Sequence, residues 1–310
     1  MNKLKLAVIG AGHLGHHHAR IYAGMPQVEL VAVCDINQRL GQKIAKRNNS
    51  SFIGDYKELI GKIDAASIAV PTELHFKIAK GLLENNIHCL VEKPITNDIA
   101  QAEQLAGIAE KQKLVLQVGH VERFNSAVQA VQAYVNKPLF IECHRMGPFK
   151  KRSLDVGVVL DLMIHDIDII MYLVQSPVTS IEAVGAKVLT DYEDIANARL
   201  KFSNGAIANI SASRLSAAEM RKIRIFQQDA YISLDYVKKA AVIFKKSGPL
   251  RGAGKRITRS NIPIKIKDAL EQELASFIEC IQKNQKPLVS GKEATDALRV
   301  ALEIAKQIHA

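Results

Sequence analysis

The chain has 310 residues, of which 48% are hydrophobic and 24% charged, with a formal net charge of +11. That length suggests two domains rather than one core, and no apolar run reaches the roughly 20 residues of a membrane span. With no Trp, few aromatics and no nucleic-acid motif, the positive balance reads as a basic surface or a preference for an anionic small substrate. The four cysteines (Cys34, Cys89, Cys143, Cys280) have no C-x-x-C spacing and read as free buried thiols of a cytoplasmic protein. The opening "MNKLKLAVIGAG" has too short an apolar stretch for a signal peptide and runs straight into a strand pattern.

In chain order, "LKLAVI" is a strand and Leu14 to Met25 a helix. "VELVAVCD" (strand), "INQRLGQKIAKRNN" (helix) and "SFIGDYKELIG" (strand, then a short helix) follow. "DAASIAVP" leads to the helix "ELHFKIAKGLLENN", "HCLVEKP" to "NDIAQAEQLAGIAEKQK", and "LVLQVGH" closes the series. Continuous apolar strands alternating with amphipathic helices predict a doubly wound parallel sheet. After His120 the rhythm changes: a helix "FNSAVQAVQAYV", a strand "PLFIECHRM" and a long apolar helix "VVLDLMIHDIDIIMYLV". Six β-rich runs then follow without helices between them, predicting a largely antiparallel open sheet. "KKSGPLRGAGKRITRSNIP" reads as a loop, and helices near 269–284 and 293–308 end the chain. The expected organisation is a nucleotide-binding domain over 1–120 and an α+β substrate-binding domain over 121–310.

Gly10, Gly12 and Gly15 spell G-x-G-x-x-G between the first strand and the first helix, with Asp35 ending the second strand 20 residues beyond Gly15. Gly10 would allow the tight turn, Gly12 the approach of a pyrophosphate, and Gly15 close packing of helix on strand. The helix N-terminus offers unpaired N–H groups to the phosphates. Asp35 would accept from the adenosine ribose hydroxyls and repel a 2′-phosphate, which favours NAD over NADP; Arg39 is the residue that could tolerate NADP. His16, His17 and His18 follow in the first helical turns. Neighbours on a helix point about 100° apart and cannot converge on one metal. They are therefore read as packing and surface residues, with His13 as the cofactor's neighbour.

Lys93 ends the strand "HCLVEKP", and ligands of doubly wound sheets bind at the carboxyl ends of strands; an ordinary surface lysine is the alternative. Asp161 and His165 stand at i, i+4 on the apolar helix, with Asp168 a turn further. They fit either a structural pair or a general base supported by a carboxylate. "HRMGPFKKRS" (Arg145, Lys150, Lys151, Arg152) and Arg214 fit a diphosphate, or a solvated charged loop. Arg123 and Asn125 are candidates to line the substrate site, unless Asn125 merely caps the next helix.

The segments "VIGAGHLGHHHAR", "CDIN", "VPTELHF", "EKPITND", "VGHVERFN" and D-x-x-x-H-D-I-D together resemble the glucose–fructose oxidoreductase, inositol dehydrogenase and MocA family over essentially the whole chain. The resemblance implies a Rossmann-type domain followed by an α+β domain, and a lysine and a D-x-x-x-H helix flanking the nicotinamide, here Lys93, Asp161 and His165. It implies cofactor contacts from Gly10, Ala11, Gly12, His13, Leu14, Gly15, Asp35, Pro71, Thr72, His75, Glu92 and Lys93. No metal is implied. His165 would take the hydroxyl proton, Lys93 would hydrogen-bond the same oxygen, and Asp161 would orient the imidazole. "QVGHVERFN", "DIANARLKFSNGAIANISASR" and "RKIRIFQQDAYISLDY" resemble, within the family, the bacterial subgroup oxidising the 3-hydroxyl of UDP-N-acetylglucosamine for lipid A synthesis. That implies a nucleotide-sugar substrate, a partner aminotransferase and pairing into a homo-oligomer. A free polyol or simple sugar, or a non-catalytic NAD-binding regulator, are the alternatives.

Overall fold

A computed structural model describes residues 3–149, 156–247 and 256–309. The chain divides into two compact units, residues 1–121 with 270–296 and residues 122–269 with 297–310. The sequence pattern assigned everything after 120 to the second domain; residues 270–296 depart from that. The reason lies in helix α7 (Ala269–Lys283), whose Leu274, Phe277 and Ile278 are fully buried in the first unit's core beside Leu6, Val8 and Tyr22. Nothing in a helix's own periodicity says which core it serves.

The first unit is built on β1 (Leu4–Ile9), β2 (Val28–Cys34), β3 (Ser51–Ile53), β4 (Ala65–Ile68), β5 (His88–Glu92) and β6 (Leu116–Gly119). Among the described residues these pair in parallel in the order β3-β2-β1-β4-β5-β6. The strand order reverses between β1 and β4, the position at which open α/β sheets bind ligands. Helices α1 (Gly15–Ala23), α2 (Gln38–Arg47), α3 (Thr72–Leu83) and α4 (Ile99–Lys111) connect the strands. Two of them start on side-chain caps: Asn37 accepts from the Leu40 N–H, and Asp98 from the Gln101 N–H.

The second unit carries α5 (Ser126–Gln132), β7 (Phe140–Met146) and α6 (Ile164–Val174), then β8 (Val178–Ala186), β9 (Ile195–Phe202) and β10 (Ile207–Ser213). Next come β11 (Met220–Phe226), β12 (Ala230–Asp235), β13 (Ala240–Ser247) and β14 (Arg256–Asn261). Among the described residues the sheet runs β14-β13-β12-β11-β7-β10-β9-β8, antiparallel throughout except for the parallel pair β7–β10. Strict alternation along β7 and β9 buries Ile141, Cys143, Ala196, Ala198, Leu200 and Phe202 on one face. Gly205, at φ +87°, makes the β9–β10 turn. Within the expected loop, "RITRSN" is instead the edge strand β14; its basic residues suit an edge that must not recruit a partner strand. Helix α8 (Gly291–His309) ends the chain. No helix among the described residues is long and apolar enough to cross a membrane, and all four cysteines are free and buried.

A carboxylate knot holds the β8–β9 connection. Asp194, 0% exposed, accepts from the backbone N–H groups of Val188, Leu189 and Thr190 and from the Thr190 hydroxyl. Burial works to raise its pKa, but these donors outweigh it and bring it down to about 2. A folded value below the unfolded one, about 3.9, stabilises the fold at pH above about 4, by roughly 2 kcal/mol. That contribution is lost as the pH falls through about 2. Asp194→Asn should therefore lower the urea midpoint at pH 7 and flatten its decline between about pH 4 and 2; an acid limb unchanged from the parent would contradict the assignment.

Candidate functional site

In the first unit, the chain leaves β1 into a turn that only glycines can make. Gly10 sits at φ +97°, and a Cβ there would stand 2.4 Å from the Ala69 carbonyl oxygen. At Gly15 a Cβ would stand 1.7 Å from the Gly10 oxygen, so the start of α1 is pressed on the turn itself. At Gly12 a Cβ meets nothing within 4 Å. Glycine there is explained by nothing inside the protein; the bare backbone faces outward, as a cradle for a phosphate requires. The His16 and His17 N–H groups donate to the Gly12 and Leu14 oxygens, but helix α1 has neither a side-chain cap nor an acidic residue in its first turn, so its positive dipole end is left to an anion. Ala11, its side chain buried, donates its N–H to Asp35 Oδ2 at 2.6 Å, and the Asn37 N–H donates to Oδ1 at 2.7 Å. The carboxylate thus ties the turn to the end of β2, and each oxygen keeps a lone pair for a ribose hydroxyl. These residues fit a dinucleotide.

The histidines divide by face. His13 is exposed, and its ring lies 6.0 Å from that of His16 and 5.7 Å from that of His17; the His16 and His17 rings are 3.8 Å apart. His16 Nδ1 lies 3.1 Å from the Gly12 oxygen. Burial and the neighbouring imidazoles hold the His17 pKa down. His18 points the other way, fully into the core. Among the described residues no group of three His, Cys, Asp or Glu stands ready for a metal.

Leu14 flanks α1 and is exposed, as is Pro71, which precedes α3; Thr72 is half-buried. His75, expected at the cofactor, is turned inward instead. It is 1% exposed, with Nδ1 2.9 Å from the Pro94 oxygen and Nε2 2.9 Å from the Val70 oxygen. Its ring joins the end of β4 to the turn after β5 and has no atom left for a cofactor; burial lowers its pKa. Glu92 is buried at the end of β5, and Lys93, half-buried, follows it at a cis Lys93–Pro94 peptide.

In the second unit the apolar helix is not continuous. Val159–Met163 form a π turn before α6 begins at Ile164, so Asp161 and His165 do not hold simple i, i+4 α-helical register. Asp161 lines an open pocket with Arg145, Ser213, Arg214, Glu219 and Arg221, among others; His165 is half-buried. Asp168 does not continue that line. It is buried, and its carboxylate takes both Nε (2.6 Å) and an Nη (2.9 Å) of Arg123, whose guanidinium lies 4.0 Å over the Tyr172 ring. Arg123 is 3% exposed and gripped by Asp168 through two nitrogens, which makes it an internal strut instead of the expected substrate ligand. Asn125 is likewise a cap: its Oδ1 accepts from the Ala127 N–H and its amide donates to Glu122.

Arg145, also 3% exposed, forks onto both oxygens of Asp166 at 2.8 Å and reaches Glu122 at 2.9 Å. Burial opposes its charge, but Asp166 and Glu122 outweigh it and hold the guanidinium charged. Arg214 donates to the Val156 oxygen at 2.6 Å and lies 3.7 Å from Asp194. Both arginines border the pocket while being bound from behind. Of the pocket's arginines, Arg221 is the more open, with its side chain 34% exposed, and it pairs with Glu219 at 3.0 Å. Sequence reasoning missed Arg221, Glu219 and Ser213. The alternation along "MRKIRIF" could have revealed Arg221, because Ile223 and Ile225, at the same parity, face the core. Lys150, Lys151 and Arg152 lie outside the described residues.

Residues 4–120 match the GFO/IDH/MocA oxidoreductase family, NAD-binding Rossmann fold, and residues 124–233 match the GFO/IDH/MocA C-terminal domain. UDP-N-acetylglucosamine 3-dehydrogenase of Acidithiobacillus ferrooxidans is 34% identical over 311 residues, which cover 100% of this chain and 99% of that one. A solved structure of that enzyme matches with a TM-score of 0.93 over 99% of this chain and 98% of that one. The scyllo-inositol 2-dehydrogenase (NAD(+)) of Bacillus subtilis is 24% identical over 97% of this chain and 93% of its own.

Proposed function

This chain belongs to the GFO/IDH/MocA family of NAD-binding oxidoreductases, and we propose that it oxidises the 3-hydroxyl of UDP-N-acetylglucosamine to the 3-keto sugar. The observation that carries the reading is the 34% identity, spanning both whole chains, to an enzyme of that name. When bound, NAD supplies the hydride acceptor. The chain's own residues handle the proton and the charge. His165 takes the proton of the sugar hydroxyl, Lys93 donates a hydrogen bond to the same oxygen as it gains negative character, and Asp161 favours the charged imidazole. The turn from Gly10 to Gly15 takes the pyrophosphate, and Asp35 takes the adenosine ribose and disfavours NADP.

In the pocket, Asp161 and Glu219 supply acceptors, and Arg221 supplies donors that suit the hydroxyls and the charge of a nucleotide sugar. We assign the diphosphate to Arg221 in preference to Arg145, whose fork is taken up by Asp166. The 3-ketone is the substrate type an aminotransferase consumes, which fits a lipid A precursor route in the cytoplasm. A second copy of this chain would cover the sheet side opposite the core, where Phe140, Phe226, Tyr231 and Phe244 stack at 5.6, 4.8 and 5.3 Å and stay only half-buried.

The test is NAD reduction across a panel of UDP-sugars, free inositols and simple sugars. UDP-N-acetylglucosamine should give the highest kcat/KM, with N-acetylglucosamine lacking the nucleotide at least about 10²-fold lower, since the phosphate contacts are then lost. Turnover of inositol with none of any UDP-sugar would overturn the substrate and leave the family standing.

A further inference from the structure

The third histidine of α1 enters a place where a hydrocarbon would be expected. His18 is 0% exposed, on a helix whose Ala19, Ile21 and Tyr22 join the apolar core. Its Nδ1 lies 2.7 Å from the hydroxyl of Ser67 in the middle of β4, itself fully buried. Its Nε2 lies 3.2 Å from Glu92 Oε1. The other oxygen, Oε2, accepts the Lys93 N–H at 3.2 Å. The Nε2–Oε1 contact is at ion-pair distance without hydrogen-bond alignment; a carboxylate can only accept, so a proton on Nε2 suits it, with Nδ1 then accepting from Ser67. The polar chain from Ser67 through His18 to Glu92 therefore points one way and stops one residue before Lys93.

Backbone is fitted around this carboxylate. Gly119 pairs with Glu92 across β5 and β6, and a Cβ at 119 would stand 2.9 Å from Glu92 Oε2. Glu92 also acts electrostatically on Tyr22 from α1, His75 from α3 and Glu273 from α7. Burial pushes the Tyr22 hydroxyl and the Glu273 carboxyl up and His75 down. An imidazole and a carboxylate buried together cost more than an apolar pair of the same volume. Placing them at the ligand end of a parallel strand, against the backbone of Lys93, gives that cost a use.

We propose that His18 and Glu92 are positioning residues for Lys93: the imidazole fixes the carboxylate, and the carboxylate fixes the lysine's backbone. This rests on the reading of Lys93 as the hydrogen-bond donor to the reacting oxygen. Neither residue touches the substrate; both act through Lys93.

The experiment compares His18→Ala, Glu92→Gln and the more conservative His18→Gln with the parent, with Lys93→Ala as the reference arm. His18→Ala and Glu92→Gln should lower kcat by up to about 10²-fold, as expected for misplacing a reacting group. The sugar KM and the NADH Kd, read by fluorescence, should stay within about twofold. His18→Gln, which keeps a donor near the Nε2 position, should restore most of kcat. The double variant should be no slower than Glu92→Gln alone, since both break one chain. Should His18→Ala fail to fold, Ser67→Ala, which removes a single oxygen, should show a smaller fall in kcat with the sugar KM again unchanged. Folded variants with the parent's kcat, beside a collapsed Lys93→Ala, would overturn the proposal alone. Full turnover by Lys93→Ala would overturn the reading of Lys93, and the proposal with it.

Discussion

Lys93→Ala and His165→Ala should each lower kcat by about 10²- to 10⁴-fold, the range typical of a removed acid–base group, while NADH binds as before. The split follows from where the residues stand. The cofactor's phosphates are assigned to the Gly10–Gly15 turn and the α1 N-terminus, neither of which depends on the Lys93 side chain or on the second unit's His165. The two losses should differ in pH dependence. Without His165 the rate should rise with pH, as hydroxide replaces the missing base; without Lys93 that rise should be weaker, because the alkoxide has lost its donor. Stopped-flow NADH formation and NADH fluorescence titration measure both quantities. Turnover by either variant near the parent's rate would remove that residue from the mechanism.

The second large effect is expected in the glycine turn, where two substitutions of equal size should behave differently. Gly15→Ala places a methyl 1.7 Å from the Gly10 carbonyl oxygen, so helix α1 must move off the turn. The variant should lose thermal stability and bind NADH about 10²-fold more weakly, near 3 kcal/mol. Gly12→Ala places its methyl where nothing of the protein lies within 4 Å. It should melt like the parent and still bind NADH poorly, because the methyl occupies the approach of the pyrophosphate. Differential scanning calorimetry with and without NADH separates the two. A Gly12→Ala protein with the parent's NADH affinity would contradict the cradle.

Much of the first unit was legible because its signals are local. The strand LKLAVI, the glycine spacing and the acid at position 35 each constrain the backbone within a few residues, and the structure places Asp35 against Ala11. Legibility failed where a side chain's partner is remote in sequence. Arg123 and Arg145 looked like substrate ligands because arginines beside a site suit phosphate. Their carboxylates, Asp168 and Asp166, are 45 and 21 residues away, and only the fold shows that these acids use up the forks. "HDID" did hold a clue, since two acids on a buried apolar helix require cations of their own. His18 was hidden among three histidines whose succession is visible but whose inward member is not. The π turn at Val159–Met163 has no sequence signal we could name, and β14 lies in a basic, glycine-containing stretch that resembles a loop in composition.

The most direct measurement supplies UDP-N-acetylglucosamine deuterated at C3, with NAD, to the purified protein and follows the label. The deuterium should appear in the reduced nicotinamide, one for one with a 3-keto sugar nucleotide, and the reaction should slow relative to unlabelled substrate when chemistry limits the rate. Reduced cofactor free of deuterium, or label retained in the sugar while NAD is reduced, would contradict that transfer.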